Sequence, residues 1–195
     1  MNTNISLRQI NKLAIPAIIA GISEPILSLT DAAIVGHMSV HATESLAAVG
    51  VVTAFLSMLI WVLGQSRSAI SSIVSQYVGA NKINEVKDLP IQAIAIILLI
   101  STVVCVITYP FSRSIFSLYN APGLLLDYSV SYYKIRVIGL PFTLYVFAVF
   151  GVFRGLQNTY YPMIIAITGA TVNILLDFIL VYGIKDWFLP LNLQG

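Results

Sequence analysis

The chain has 195 residues, of which 58% are hydrophobic and only 9% are charged, with ten Lys and Arg against eight Asp and Glu for a net charge of +2. Soluble domains carry about 25% charged residues, so a water-soluble globule of this composition would expose apolar surface nearly everywhere. An ordinary soluble enzyme, a disordered tail and a nucleic-acid-binding module are excluded, and the chain belongs in a bilayer.

The first predicted span covers residues 13–36 and is interrupted by Glu24 and Asp31. Arg8 and Lys12 precede it, but no small-residue cleavage pattern occurs near residue 25, so it reads as a span and not as a cleavable signal. The second covers 46–78; it is uncharged through Ser66 and continues, Ser-rich, past Arg67. The third, 89–112, carries no charge. The fourth, 124–153, is cleanly apolar from Val137 onward. The fifth, 160–184, holds Asp177 and has Pro162 in its first turn, where a missing N–H costs little. Runs such as Ile94 to Ile100 are apolar on every side, unlike a barrel strand, which alternates. Gly79-Ala80-Asn81-Lys82, Asn120-Ala121-Pro122-Gly123 and Gln157-Asn158-Thr159 supply turn chemistry between spans. The expectation is an all-α membrane protein with about five transmembrane helices.

Arg8, Lys12, Lys82, Lys87 and Arg154 fall on one side, Arg113 and Lys185 on the other, with Lys134 and Arg136 near the outer start of the fourth span. The positive-inside rule then puts the N-terminus in the cytoplasm of a multi-pass cell (inner) membrane protein, and odd parity puts the C-terminus outside. No further span follows Ile184, and the end reads as abrupt, as if a following helix were missing.

An ionisable residue at a helix centre costs about 2.5–3.5 kcal/mol on insertion scales. Glu24, Asp31 and Asp177 lie inside spans, so each should face protein or a water-filled cavity. Glu24 and Asp31 are seven apart, nearly one helix face, with Ala17, Gly21, Ser28 and Val35 on the same stripe. Asn173 and Asp177 are four apart, and Ala166 and Gly169 extend their face. Asp31 and Asp177 both lie about 26 Å along their helices. If the stripes meet, Asp31, Asn173 and Asp177 form one polar cluster, and two carboxylates in a low-dielectric site call for a proton or a bound cation. The competing reading is that these carboxyls only satisfy neighbouring helices or sit near the hydrated outer surface. Glu24 stands alone, with a structural and a functional role equally open.

Pro16 and Pro25 lie inside the first span and Pro141 inside the fourth, each able to bend its helix or to set a static kink. Gln65, Ser68, Ser72 and Gln76 form a polar stripe that either lines a water-filled vestibule or hydrogen-bonds across a packed interface. Gly151 and Gly155 have the spacing of close helix packing. Trp61, Tyr109, Tyr160, Tyr161 and Trp187 fall near span ends and read as interface anchors. His37 and His41 have metal-ligand spacing but sit in a loop with no Glu partner, so no metal is expected. Cys105 is a single cysteine in an apolar run and cannot form an internal disulfide. No nucleotide-binding or hydrolase motif occurs.

Three stretches resemble the multidrug and toxic compound extrusion (MATE) transporters, in particular the branch of DNA-damage-inducible-type bacterial members. They are Leu13-Ala14-Ile15-Pro16 followed by Thr30-Asp31-Ala32-Ala33-Ile34-Val35-Gly36-His37; Phe153 to Thr159 followed by Tyr161-Pro162-Met163; and Asn173 to Asp177 followed by Gly183. Val74 to Ala80 resembles the end of the family's second helix. The resemblance implies the N-terminal lobe of a twelve-helix, two-lobe fold, stopping just before the sixth helix. It implies export of organic cations and other amphipathic compounds in exchange for H⁺ or Na⁺, with the lipid bilayer and a C-terminal lobe of the same family as partners, no nucleic acid and no cofactor beyond the coupling ion. The family's N-lobe cation site matches Asp31, Asn173 and Asp177, and its helix-four tyrosine matches Tyr132 or the adjacent Tyr133.

The leading expectation is therefore the N-terminal part of a secondary antiporter, not an enzyme, in which Pro16 and Pro25 let the first helix bend when Asp31 and Asp177 change their proton or cation. The alternatives are a flippase for lipid-linked or polysaccharide intermediates, disfavoured by how few basic residues lie in spans, or a truncated, non-transporting membrane module. A membrane enzyme ranks last because no catalytic constellation is visible.

Overall fold

The computed structural model describes residues 6–36, 42–119 and 123–182. Among them the chain is helical throughout: α1 (Leu7–Gly36), α2 (Ala42–Gly64), α3 (Ser66–Gly79), α4 (Leu89–Thr108), α5 (Ser112–Ser117), α6 (Leu124–Arg136), α7 (Leu140–Gly155) and α8 (Tyr160–Tyr182), with 3-10 turns at Ile83–Val86 and Val137–Gly139. Five segments are long and apolar enough to cross a membrane: Leu7–Ile34, Thr43–Gly79, Leu89–Thr108, Leu124–Gly155 and Tyr160–Ile179. The protein is a multi-pass, all-α membrane protein.

The span limits move for local reasons. α1 starts at Leu7, six residues before the first expected span. Ser6 and Gln9 cap it reciprocally: the Ser6 N–H donates to Gln9 Oε1 at 3.1 Å, and the Gln9 N–H donates to Ser6 Oγ at 3.4 Å. This Ser-x-x-Gln capping box was readable in the sequence. The third span ends at Thr108, not Ser112: Tyr109 still donates to the Cys105 carbonyl at 2.9 Å, but Pro110 lacks an N–H and cannot continue the ladder. The fourth span is α6 and α7 joined by the 3-10 turn at Val137–Gly139. That turn sits where Pro141 deprives the Val137 carbonyl of its helical donor. The second span breaks at Gln65, between α2 and α3.

The chain divides into two units, each described by itself. In the unit made of residues 44–157, α2 to α7 pack in three layers. In the first layer Val52, Leu56, Phe116, Val130, Tyr133 and Val137 are buried together. Phe55, Phe116 and Tyr133 meet edge to face there, at centroid distances of 5.2 to 5.9 Å. The second layer joins Ile97 of α4 to Leu140 and Leu144 of α7, with Leu59, Ile60 and Leu63 against them. The third joins Ile70 and Val74 of α3 to Ala148 of α7. Here the two glycines act as expected: a Cβ on Gly151 would lie 2.6 Å from the Arg67 carbonyl oxygen, and one on Gly155 would lie 2.5 Å from Val74 Cβ. Only glycine lets α3 and α7 approach this closely.

The other unit contains α1 and α8, packed side by side. Pro16 and Pro25 both lie within α1, which stays helical through them. Few residues of either helix are buried, as expected of membrane helices whose outer faces meet lipid or other apolar surface.

Candidate cation site on the first and last helices

The α1–α8 pair has a fixed register. Thr159 Oγ1 donates to the Leu13 carbonyl at 2.9 Å. Asp31 lies 18 residues beyond Leu13, and Asp177 lies 18 beyond Thr159. At ~1.5 Å per residue both carboxylates rise about 27 Å from this shared origin, with Asn173 one turn below.

Burial shows which faces meet. On α1 the half-buried or buried stripe runs Leu13, Ala17, Ala20, Ser23, Leu27, Asp31 and Ile34; on α8 it runs Thr159, Met163, Ala166, Ala170, Asn173 and Asp177. Small residues on both sides allow close approach along most of the seam, and the polar trio comes at its far end. Asp31 Oδ1, Asn173 Oδ1 and Asp177 Oδ2 are all shielded from solvent. Asp31 Oδ1 and Asn173 Oδ1 accept no hydrogen bond from the described residues. Buried acceptors of this kind are costly unless a proton, a water or a cation satisfies them.

The expected stripes need correcting at their edges. Gly21, Glu24 and Ser28 are exposed, so Glu24 does not join the Asp31 cluster. On α8 the packed residue is Ala170, while Gly169 is exposed with nothing within 4 Å of its Cβ position. Val35 and the His37–His41 pair lie outside the described side chains. Among the described residues no three His, Cys, Asp or Glu side chains gather into a metal-ligand group.

Tyr132 and Tyr133 part company. Tyr133 is fully buried in the first core layer and donates to Thr108 Oγ1 at 2.6 Å. Tyr132 is half-buried at the edge of that layer, with the Arg136 guanidinium 5.7 Å from its ring centroid. Lys134 stands 5.6 Å over the Tyr109 ring, so both basic residues near the start of the fourth span rest on aromatic faces.

Gln65, Ser68, Ser72 and Gln76 are exposed, on the side of α3 away from Ile70 and Val74. Their bonds stay within their own helical segment: Gln65 Nε2 donates to the Trp61 carbonyl and Gln76 Nε2 to Ser72 Oγ. Trp61 is a correction. Its neighbours Leu59, Ile60 and Leu63 pack against the cluster of Ile97, Leu140 and Leu144, near the middle of α4 and of the fourth span, so Trp61 lies at mid-span, not at an interface. It is 73% exposed and heads the same stripe, four residues before Gln65.

The MatE family model matches residues 16–179. DNA damage-inducible protein F of Escherichia coli (strain K12) is 27% identical over 184 residues, covering 94% of this chain and 38% of that protein. Multidrug resistance protein MdtK of Yersinia enterocolitica is 27% identical over 179 residues, covering 92% of this chain and 38% of that protein. The chain thus spans under two fifths of the length of these curated relatives. A MOP superfamily transporter from Pyrococcus furiosus, described as having a binding pocket of reversed polarity, superposes with a TM-score of 0.80 at 22% identity over 91% of this chain and 39% of its own. A MATE protein in complex with MaD3S also gives 0.80, at 23% identity over 89% of this chain and 38% of its own. These two structures carry the fold alone.

Proposed function

The chain belongs to the MatE family, and on that premise we propose that it forms the N-terminal part of a secondary active exporter of amphipathic or cationic compounds, driven by H⁺ or Na⁺ antiport. The observation that supports this reading is the level match of Asp31 and Asp177, measured from the Leu13–Thr159 bond, with Asn173 one turn below them and a side-chain oxygen of each shielded from solvent. Such a site holds a proton or a small cation between two carboxylates. The relatives' names as a DNA damage-inducible protein and a multidrug resistance protein are consistent with it.

Coupling then works as follows. Loading the site removes charge repulsion between α1 and α8 at their far end. Pro25 lacks an N–H, so the Gly21 carbonyl has no helical donor, and Pro16 leaves Lys12 in the same state. α1 can therefore bend at two points below Asp31. One charge crossing 100 mV supplies about 2.3 kcal/mol, a usable drive for export. The exposed polar stripe from Gln65 to Gln76 lines a vestibule in this reading, because that face would be costly against lipid. The protein resides in the inner membrane with its N-terminus cytoplasmic, and a C-terminal lobe of the same family completes the transporter.

The test is efflux of ethidium from proteoliposomes by this chain paired with such a lobe, under a pH gradient and separately under a Na⁺ gradient. The expected result is efflux under one gradient that Asp31→Asn abolishes. Unchanged efflux by a normally inserted Asp31→Asn protein overturns the assignment.

A further inference from the structure

Arg67 lies inside the second membrane-length segment, in α3. The residues around it place it between mid-span and the span's end: Leu63 packs against the cluster of Ile97, Leu140 and Leu144, and Ile70 belongs to the cluster that takes in Ala93 and Ile94, about one turn from the start of α4. Its backbone is pressed against α7, since the Arg67 carbonyl is what a Cβ on Gly151 would strike. Its guanidinium stacks on Phe147 of α7, 4.7 Å from the ring centroid. Arg154 stands in the last turn of α7, three residues beyond the Gly151 that abuts the Arg67 backbone, which puts both arginines on one α3–α7 seam. Helical side chains lean toward their own N-termini, and the Arg67 guanidinium does so, lying over Phe147 one turn before Gly151.

Both arginines are half-buried, and among the described residues neither has a carboxylate within salt-bridge distance. Two like charges at one helix seam repel, and an anion held between them relieves that repulsion. The Phe147 ring stiffens the Arg67 fork and leaves its N–H edge available, and planar guanidinium forks match oxyanions bidentately.

We propose that Arg67 and Arg154, across the α3–α7 seam, form a binding site for a phosphate-class oxyanion. A free anion and the headgroup of an anionic phospholipid share this chemistry, and basic pockets between membrane helices recognise such headgroups.

The test is binding, independent of transport. The purified chain in phosphatidylcholine nanodiscs is titrated with inorganic phosphate, and in a second arm is placed in nanodiscs containing phosphatidylglycerol, with bound lipid counted by native mass spectrometry. Arg67→Gln and Arg154→Gln are each expected to weaken binding about tenfold, and together to abolish it. Arg67→Lys retains the charge but loses the fork, and is expected to fall between wild type and Arg67→Gln; it also serves if a Gln variant fails to insert. Phosphate binding without lipid retention assigns a free-anion site, and lipid retention that phosphate displaces assigns a headgroup site. Absence of both, or binding unchanged in the double Gln variant, overturns the proposal.

Discussion

The Thr159 hydroxyl and the Leu13 carbonyl, 146 residues apart in sequence, meet at 2.9 Å and set where α8 stands against α1. A slip of one turn would move Asp177 about 5.4 Å past Asp31 and expose one carboxylate outside the shared level. Interhelical hydrogen bonds in membranes average about 0.6 kcal/mol. Thr159→Val keeps the shape and removes the donor, so a thermal melt in detergent should show a loss of that size. Efflux should fall by more than the stability does, because register is lost with the bond.

The glycines give predictions of opposite sign. Gly155→Ala drives a Cβ into Val74 and should cost about 1–3 kcal/mol by overpacking. Val74→Ala in the same chain should recover part of that loss. Gly169→Ala meets nothing within 4 Å and should stabilise α8 by up to about 1 kcal/mol through helix propensity. Denaturation of the three variants side by side checks both signs.

Tyr133→Phe removes the hydroxyl that donates to Thr108 and keeps the ring against Phe55 and Phe116. Thr108 Oγ1 still donates to the Val104 carbonyl at 2.7 Å, so the expected cost is about 1 kcal/mol. Tyr133→Ala empties a fully buried site and should cost about 3–5 kcal/mol, in line with large aromatic truncations. The gap between the two variants measures packing against hydrogen bonding.

Asp127→Asn breaks the 2.9 Å ion pair with Arg113, but both side chains are more than half exposed. Its effect on the melting point should be small, within about 0–1 kcal/mol, and should shrink further as salt is raised.

Asp31→Asn should separate stability from transport. It removes a buried charge whose Oδ1 has no partner among the described residues, so the fold should hold or gain slightly while antiport stops. Loss of both together would mark Asp31 as a structural residue.

Composition and hydropathy alone determined that this is a membrane protein with five helical spans, because roughly 20 apolar residues must satisfy their own backbone in lipid. The intramembrane carboxylates were equally legible, since charge inside a span is costly wherever it falls. The close packing at Gly151 and Gly155 was visible as spacing, and the cap at Ser6 and Gln9 was visible but lay outside the apolar window. Tertiary structure decided what periodicity could not. It separated Glu24 from Asp31, put Ala170 and not Gly169 on the seam, sent Tyr133 into the core and left Tyr132 at its edge, and moved Trp61 from an interface to mid-span. Apart from Trp61, whose depth is set by the neighbouring helices, these depend on which part of a helix circumference meets a neighbour, and in a chain apolar on nearly every face, hydrophobicity does not mark that side. The Arg67–Arg154 seam belongs to the same class, because residues 87 apart become neighbours only when glycines let α3 and α7 touch.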